Sequence, residues 1–274
     1  MSAKTEAKDA ARAAASNSAF EVVARAGYVA NGIVHLLIGT IVLVLAFGGR
    51  GEGDQTGALK AVAGAPLGFV ALWLIAIALL ALGAWHLVEG VLARDRSGDI
   101  QGAAKKWGRR TAEWGQGVIF AGLGVIAAAV AVGARPDAEE TAESASRGLL
   151  QFPGGPIVLG LIGLGIGIGG VSFVVMGFLR SFRSRMRIPS GPVGVGVAAL
   201  GVFGFIAKGA ALMIIGVLLV VAAVGTDAEA AGGLDGAVQA LLDLAMGPFL
   251  AATVGIGFLA YGVFTVFRAR YARM

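Results

Sequence analysis

Four ionisable side chains stand inside long apolar runs of this chain: His35, His86, Glu89 and Lys208. Asn31 and Gln116 are their uncharged polar companions. In lipid such groups are costly, and they mark relays, ion paths or paired structural contacts. His86 and Glu89 are three positions apart, so on a helix they share a face. That arrangement suits a proton or ion relay. On paper the H-x-x-E spacing also suits two metal ligands, but a third is lacking and no metal or other cofactor is expected. His35 lies one turn beyond Asn31, and histidine titrates near neutrality. A neutral imidazole bonded to a carbonyl or to Asn31 is the simpler role. Glu89 lies close to Arg94, near the end of its run, where pairing with Lys208 or Arg25 is expected. Lys208 is expected near the start of its own run, within snorkelling reach of the headgroups.

Other chemistry finds no support. There is no cysteine, hence no disulfide, thiolate ligand or Cys nucleophile. The Gly-Leu-Gly-Ile-Gly-Ile-Gly-Gly run at 163–170 has the glycine content of a dinucleotide loop, but it lies within an apolar run and follows no strand. Ser172 has no base beside it, and a hydrogen bond to its own helix suffices. No P-loop, G-x-S-x-G elbow or H-E-x-x-H is present. The expectation is therefore a protein that is not an enzyme.

The elements that must hold these residues are membrane spans. Apolar residues make up 57% and charged residues 14% of the chain, against roughly 45–50% and about 25% in soluble domains. The excess is gathered in six blocks, at 26–47, 66–92, 111–132, 156–179, 200–224 and 247–267. A bilayer asks for about 20 such residues per helix. Runs such as 36–46 do not alternate as barrel strands do. The first run is expected to serve as a retained signal anchor.

Basic residues orient the spans. Lys4, Lys8, Arg12, Arg25, Arg94, Arg96, Lys105, Lys106, Arg109, Arg110, Arg180, Arg183, Arg185, Arg187, Arg268, Arg270 and Arg273 fall on one side. Only Arg50, Lys60, Arg135 and Arg147 fall on the other. The positive-inside rule puts the first set, and both termini, in the cytoplasm of a cell-membrane protein. Split among short loops, the net charge of +5 calls for no nucleic acid. The basic stretch 180–187 suits anionic headgroups. The opposite loops are acidic, which solvation explains; a vestibule that collects cations is the sharper alternative. Tyr28, Trp85, Trp107, Trp114 and Tyr261 are expected in an interfacial belt, with Trp73 nearer the acidic side.

The chain repeats itself. Asn31-Gly32, Gly39 and Gly48 match Gln116-Gly117, Gly124 and Gly133, and again Lys208-Gly209, Gly216 and Gly225. Each set opens an odd-numbered span in the same phase. Pro66, Pro156 and Pro248 stand at or near the starts of the even spans, where a missing N–H costs nothing. The expected organisation is a tail at 1–25, then repeats of two spans each at 26–108, 109–187 and 188–274. An even number of crossings keeps the repeats parallel, which predicts an all-α integral membrane bundle of six transmembrane helices around a pseudo-threefold axis. Gly32, Gly39, Gly117, Gly124, Gly209 and Gly216 are expected to let helix backbones approach closely.

The segment ARAGYVANGIVHLLIG, with its echoes EWGQGVIFAGLG and FIAKGAALMIIG, resembles the family known as domain of unknown function 1206. The resemblance spans nearly the whole chain after the tail. It implies a bacterial multi-pass membrane protein with three copies of a two-helix unit, and no known activity. The family often carries Arg before the first glycine; here Asn31, Gln116 and Lys208 stand there.

A repeat rich in packing residues and poor in chemistry points to a non-enzymatic scaffold or partner subunit. Its surroundings are the lipid bilayer, with a membrane protein partner or further copies of itself. The alternative is a small transporter or channel using Glu89, His86, His35 and Lys208.

Overall fold

The computed structural model describes residues 3–93 and 100–272. Arg94, Arg96 and Arg273, used above for orientation, lie outside them. The described residues form ten α-helices and no strand: α1 Ala3–Ala15, α2 Ser18–Ala46, α3 Gln55–Ala63, α4 Gly68–Leu92, α5 Ile100–Ala131, α6 Ala138–Leu150, α7 Gly155–Phe178, α8 Pro192–Gly225, α9 Leu234–Leu242 and α10 Gly247–Tyr271. Six are long and apolar enough to cross a membrane: α2, α4, α5 from Lys106, α7, α8 and α10. The chain is thus an all-α, multi-pass membrane protein.

Local chemistry sets the ends of these helices. Asn17 Oδ1 accepts from the backbone N–H groups of Ala19 and Phe20 at the start of α2. Asp54 caps α3 through Gly57 N at 2.7 Å, and Asp137 caps α6 through Glu139 N and Glu140 N. Such caps satisfy N–H groups that have no partner within the helix. Prolines in the first turn open α7, α8 and α10. The α4 carbonyls of Gly90 and Val91 accept from the Arg110 guanidinium, which lies between the rings of Trp107 and Trp114.

Three differences from the sequence reading matter. Each acidic loop holds a short helix (α3, α6 or α9), so the repeating unit is a span, a short helix and a span. Their short length, nine to thirteen residues, hid them. Next, α8 begins at Pro192 rather than at 200. Residues 192–199 are Gly- and Val-rich, and they continue the helix beyond the block of highest hydropathy. Finally, Tyr28, Trp85 and Tyr261 are buried within the protein, whereas Trp107 is exposed. The belt therefore does not include those three, because their rings fill helix contacts.

The chain divides into two compact units. The first contains Met1–Asn31 and Pro66–Ala134. In it α4 packs along α5, and Gly27 of α2 meets Ala78 and Leu82 of α4. The second contains Gly32–Ala65 and Arg135–Arg273, where α8 packs against both α7 and α10. Phe182, Met186, Val197, Phe205, Tyr261 and Phe264 make an aromatic core there.

Within these units the repeat glycines form seams of one kind. A Cβ added at Gly32 would stand 2.8 Å from Gly262 O, and one at Gly39 would stand 2.7 Å from Gly255 O. Gly83 faces Gly117 O at 2.9 Å, and Gly124 faces Ala76 O at 3.1 Å. Gly209 faces Gly170 O at 2.6 Å, and Gly216 faces Gly163 O at 2.7 Å. Two small residues seven apart on an odd span thus meet two small residues seven apart on an even one. No larger side chain allows that approach, and in lipid such contact is what holds helices together. The pairs are α2 with α10, α4 with α5, and α7 with α8, so the repeat glycines do not pair with the even span of their own repeat.

Candidate functional site

In the first unit His86 of α4 is the centre of a buried polar cluster. Its Nδ1 is hydrogen-bonded to Glu113 Oε2 of α5 at 2.7 Å, and the two side chains are only 4% and 8% exposed. Its Nε2 lies 3.3 Å from the Tyr28 hydroxyl of α2. The ring stacks on Phe120 at a centroid separation of 5.4 Å. Both histidine nitrogens are thus engaged.

A second pair lies on the same two helices, nearer the end of α4. Arg109 donates to Glu89 Oε2 at 3.1 Å, with Glu89 half-buried and Arg109 exposed. Glu89 follows His86 by three residues on α4, and Arg109 precedes Glu113 by four on α5. The two contacts are therefore successive rungs between the same helices, one partly exposed and one buried.

Glu89 thus pairs with neither Lys208 nor Arg25. Arg25 binds Glu21 of its own helix at 2.7 Å. His86 and Glu89 share a face of α4, but their side chains serve different partners on α5. Among the described residues no three His, Cys, Asp or Glu side chains gather as metal ligands would.

The second unit holds the other histidine. Lys208 Nζ of α8 donates to His35 Nε2 of α2 at 3.1 Å. The ammonium lies over the Tyr261 ring at 4.5 Å and near the Phe173 ring at 5.6 Å. His35 is itself 4.8 Å from the Tyr261 ring. Tyr261 stands ten residues before the end of α10, about 15 Å at 1.5 Å per residue. Lys208 itself stands sixteen residues after the start of α8 at Pro192, and its ammonium is held between helices at the level of Tyr261. The cation is stabilised by ring faces and an imidazole lone pair rather than by a carboxylate.

Asn31 is buried on α2, and Gln116 is half-buried one turn beyond Glu113. The sequence reading missed Glu113 and Tyr28. Repeat position offers the signal: both precede the polar residue of their repeat by three places, and Phe205 does so in the third.

The acidic loops converge in the second unit. Gly53 N donates to Asp235 Oδ1 at 2.6 Å. Burial, then Asp54, Glu52 and Asp137, push the Asp235 carboxyl above its usual range, partly offset by the Gly53 bond. Burial and then Asp235 raise Glu139 likewise. Lys60 neutralises Glu52 at 2.6 Å.

The family model described as Domain of Unknown Function (DUF1206) matches residues 26–93, 114–180 and 203–272. The chain is 23% identical over 256 residues to the uncharacterized protein YxxB of Bacillus subtilis (strain 168), covering 91% of this chain and 90% of that one. No solved structure matches it. The chain belongs to the DUF1206 family.

Proposed function

We propose that this protein is a non-enzymatic component of the cell membrane, a scaffold or partner subunit with both termini in the cytoplasm. The supporting observation is how its residues are spent. The repeat glycines bring three helix pairs into backbone contact, and the ionisable side chains within the spans bind one another. Meanwhile α5 and α7 leave broad apolar faces uncovered. Only 28% and 17% of their most apolar stretches are buried, against 56% for α2 and α10. Those faces are where lipid, a membrane protein partner or another copy of the chain would lie.

The test is native mass spectrometry of the protein extracted in lipid nanodiscs at its natural expression level. A stoichiometric partner or a defined homo-oligomer supports this reading; a bare monomer under all extraction conditions refutes it. A second reading, a small proton- or ion-coupled transporter, draws on the His86–Glu113 and Lys208–His35 contacts. It predicts flux in reconstituted vesicles that Glu113→Gln abolishes, and it fails if wild-type and variant vesicles behave alike.

A further inference from the structure

We infer that the end of the second unit carrying Arg180, Arg183, Arg187 and Arg270 is a docking surface for the headgroups of anionic phospholipids. This adds a lipid partner to the scaffold reading and does not depend on it.

The surface is built from two segments fastened together. Beyond α7 stands Arg180, whose left-handed backbone (φ 52°) turns the chain back toward the helices. Residues Ser181–Arg185 then make a short 3-10 helix. Two side chains anchor this stretch. Phe182 packs on Phe205 and Phe264 at centroid separations of 5.2 and 5.0 Å, and Met186 is buried in the same core. The backbone is tied as well. Arg187 N donates to Tyr271 O at 2.7 Å, and Met186 bridges Ala272. The loop after α7 is therefore joined to the end of α10. Around the anchors Arg180, Arg183 and Arg187 stay exposed, and so does Arg270 in the last turn of α10.

These arginines stand where spans end. Arg180 is two residues beyond Phe178, the last of α7, and Arg270 immediately precedes Tyr271, the last of α10. Phe178 and Leu179, just before Arg180, are exposed, as are Val193 and Val195 at the start of α8. Apolar side chains beside guanidinium groups suit the boundary between acyl chains and headgroups.

What these four arginines lack is an anion. Among the described residues none of them has a carboxylate partner. The sequence has no Asp or Glu between Glu143 and Asp227, nor after Asp243. The first unit differs: there Arg12 pairs with Asp9, Arg25 with Glu21 and Arg109 with Glu89. Positive charge on a fastened segment binds an anion with little ordering cost. The planar guanidinium can meet two phosphate oxygens at once. At the end of a span that phosphate belongs to a headgroup.

The test is a lipid titration of the full-length protein in mild detergent, read by native mass spectrometry. The probes are phosphatidylglycerol and phosphatidylcholine with the same acyl chains. The first phosphatidylglycerol should bind at least about tenfold more tightly, with a smaller margin at higher ionic strength. Arg183→Gln combined with Arg187→Gln should remove most of that preference, because an arginine at an anionic surface is worth about fivefold. Arg270→Gln, on the other segment, should weaken binding about fivefold. All three side chains are exposed, so the fold is kept. Arg12→Gln combined with Arg109→Gln removes as many charges, but from arginines that already have carboxylates; the preference should hold within about twofold. Excess inorganic phosphate should not displace the lipid. Equal affinity for the two lipids in the wild-type protein overturns the surface. So does an equal loss in the Arg12 and Arg109 control, which reduces the effect to net charge. Displacement by inorganic phosphate overturns it too, since the site would then take free anions.

Discussion

Replacing Gly216 by alanine should separate α7 from α8, and the size of the effect can be worked from the seam. The new Cβ would stand 2.7 Å from both Gly163 O and Gly167 N, and 2.8 Å from Gly167 Cα. All three are backbone atoms, so no side chain can turn aside. Comfortable carbon contacts begin near 3.5 Å, which asks the helices to part by about 0.7 Å. The neighbouring contact between Gly209 and Gly170 would loosen with it. Overpacking of this kind costs about 1–3 kcal/mol. The control is Gly196→Ala on the same helix, where a Cβ meets nothing within 4 Å; it should be neutral or gain up to about 1 kcal/mol from reduced chain freedom. Reversible unfolding in bicelles measures both. Adding Gly163→Ala to Gly216→Ala should cost less than the sum of the two single changes, because the helices are already apart. If Gly216→Ala and Gly196→Ala are equally stable, the seam is not what holds these helices.

Arg110→Lys loses the two-carbonyl fork and the ring stacking. It should destabilise by about 1–2 kcal/mol, seen as a lower unfolding midpoint, with faster hydrogen exchange at the end of α4. For Lys208 and His35, a double-mutant cycle with Lys208→Met and His35→Phe should give a coupling of about 1–3 kcal/mol, since either change alone removes a hydrogen-bond partner of the other residue. Zero coupling would sink the contact. Asp235→Asn tests the acidic loops. A carboxyl whose folded value lies above its unfolded 3.8 favours folding most below that pH and loses this contribution as pH rises through the folded value. Asparagine keeps an acceptor for Gly53 N, so thermal stability at pH 7 should rise and its decline with pH above about 4 should flatten.

The spans were legible because each is a block of about 20 apolar residues, and the glycine phase stood out because three copies carry it. The side-chain partners were less legible. Glu113 stands two residues into its apolar block, with Arg109 and Arg110 just before it, and nothing in the sequence around it marks a partner. Only the register between α4 and α5, set by Gly83 against Gly117, brings it opposite His86. The same register sends Glu89 to Arg109, which lies twenty residues on and was counted among the solvated basic residues. Lys208 was read as near the start of its helix because the apolar block was taken as the whole helix; α8 begins earlier, at Pro192. The helices of the acidic loops, nine to thirteen residues long, are too short to stand out beside the spans.

The contact of α2 with α10 bears on how the protein is made. During synthesis α2 finds its glycine-matched neighbour only when α10 has followed it, whereas α4 with α5 and α7 with α8 are joined by short stretches of chain. A nascent chain carrying the first five spans would keep Gly32 and Gly39 facing lipid or a chaperone. Loss of the 25 residues of α10 should therefore leave a product that membrane quality control degrades.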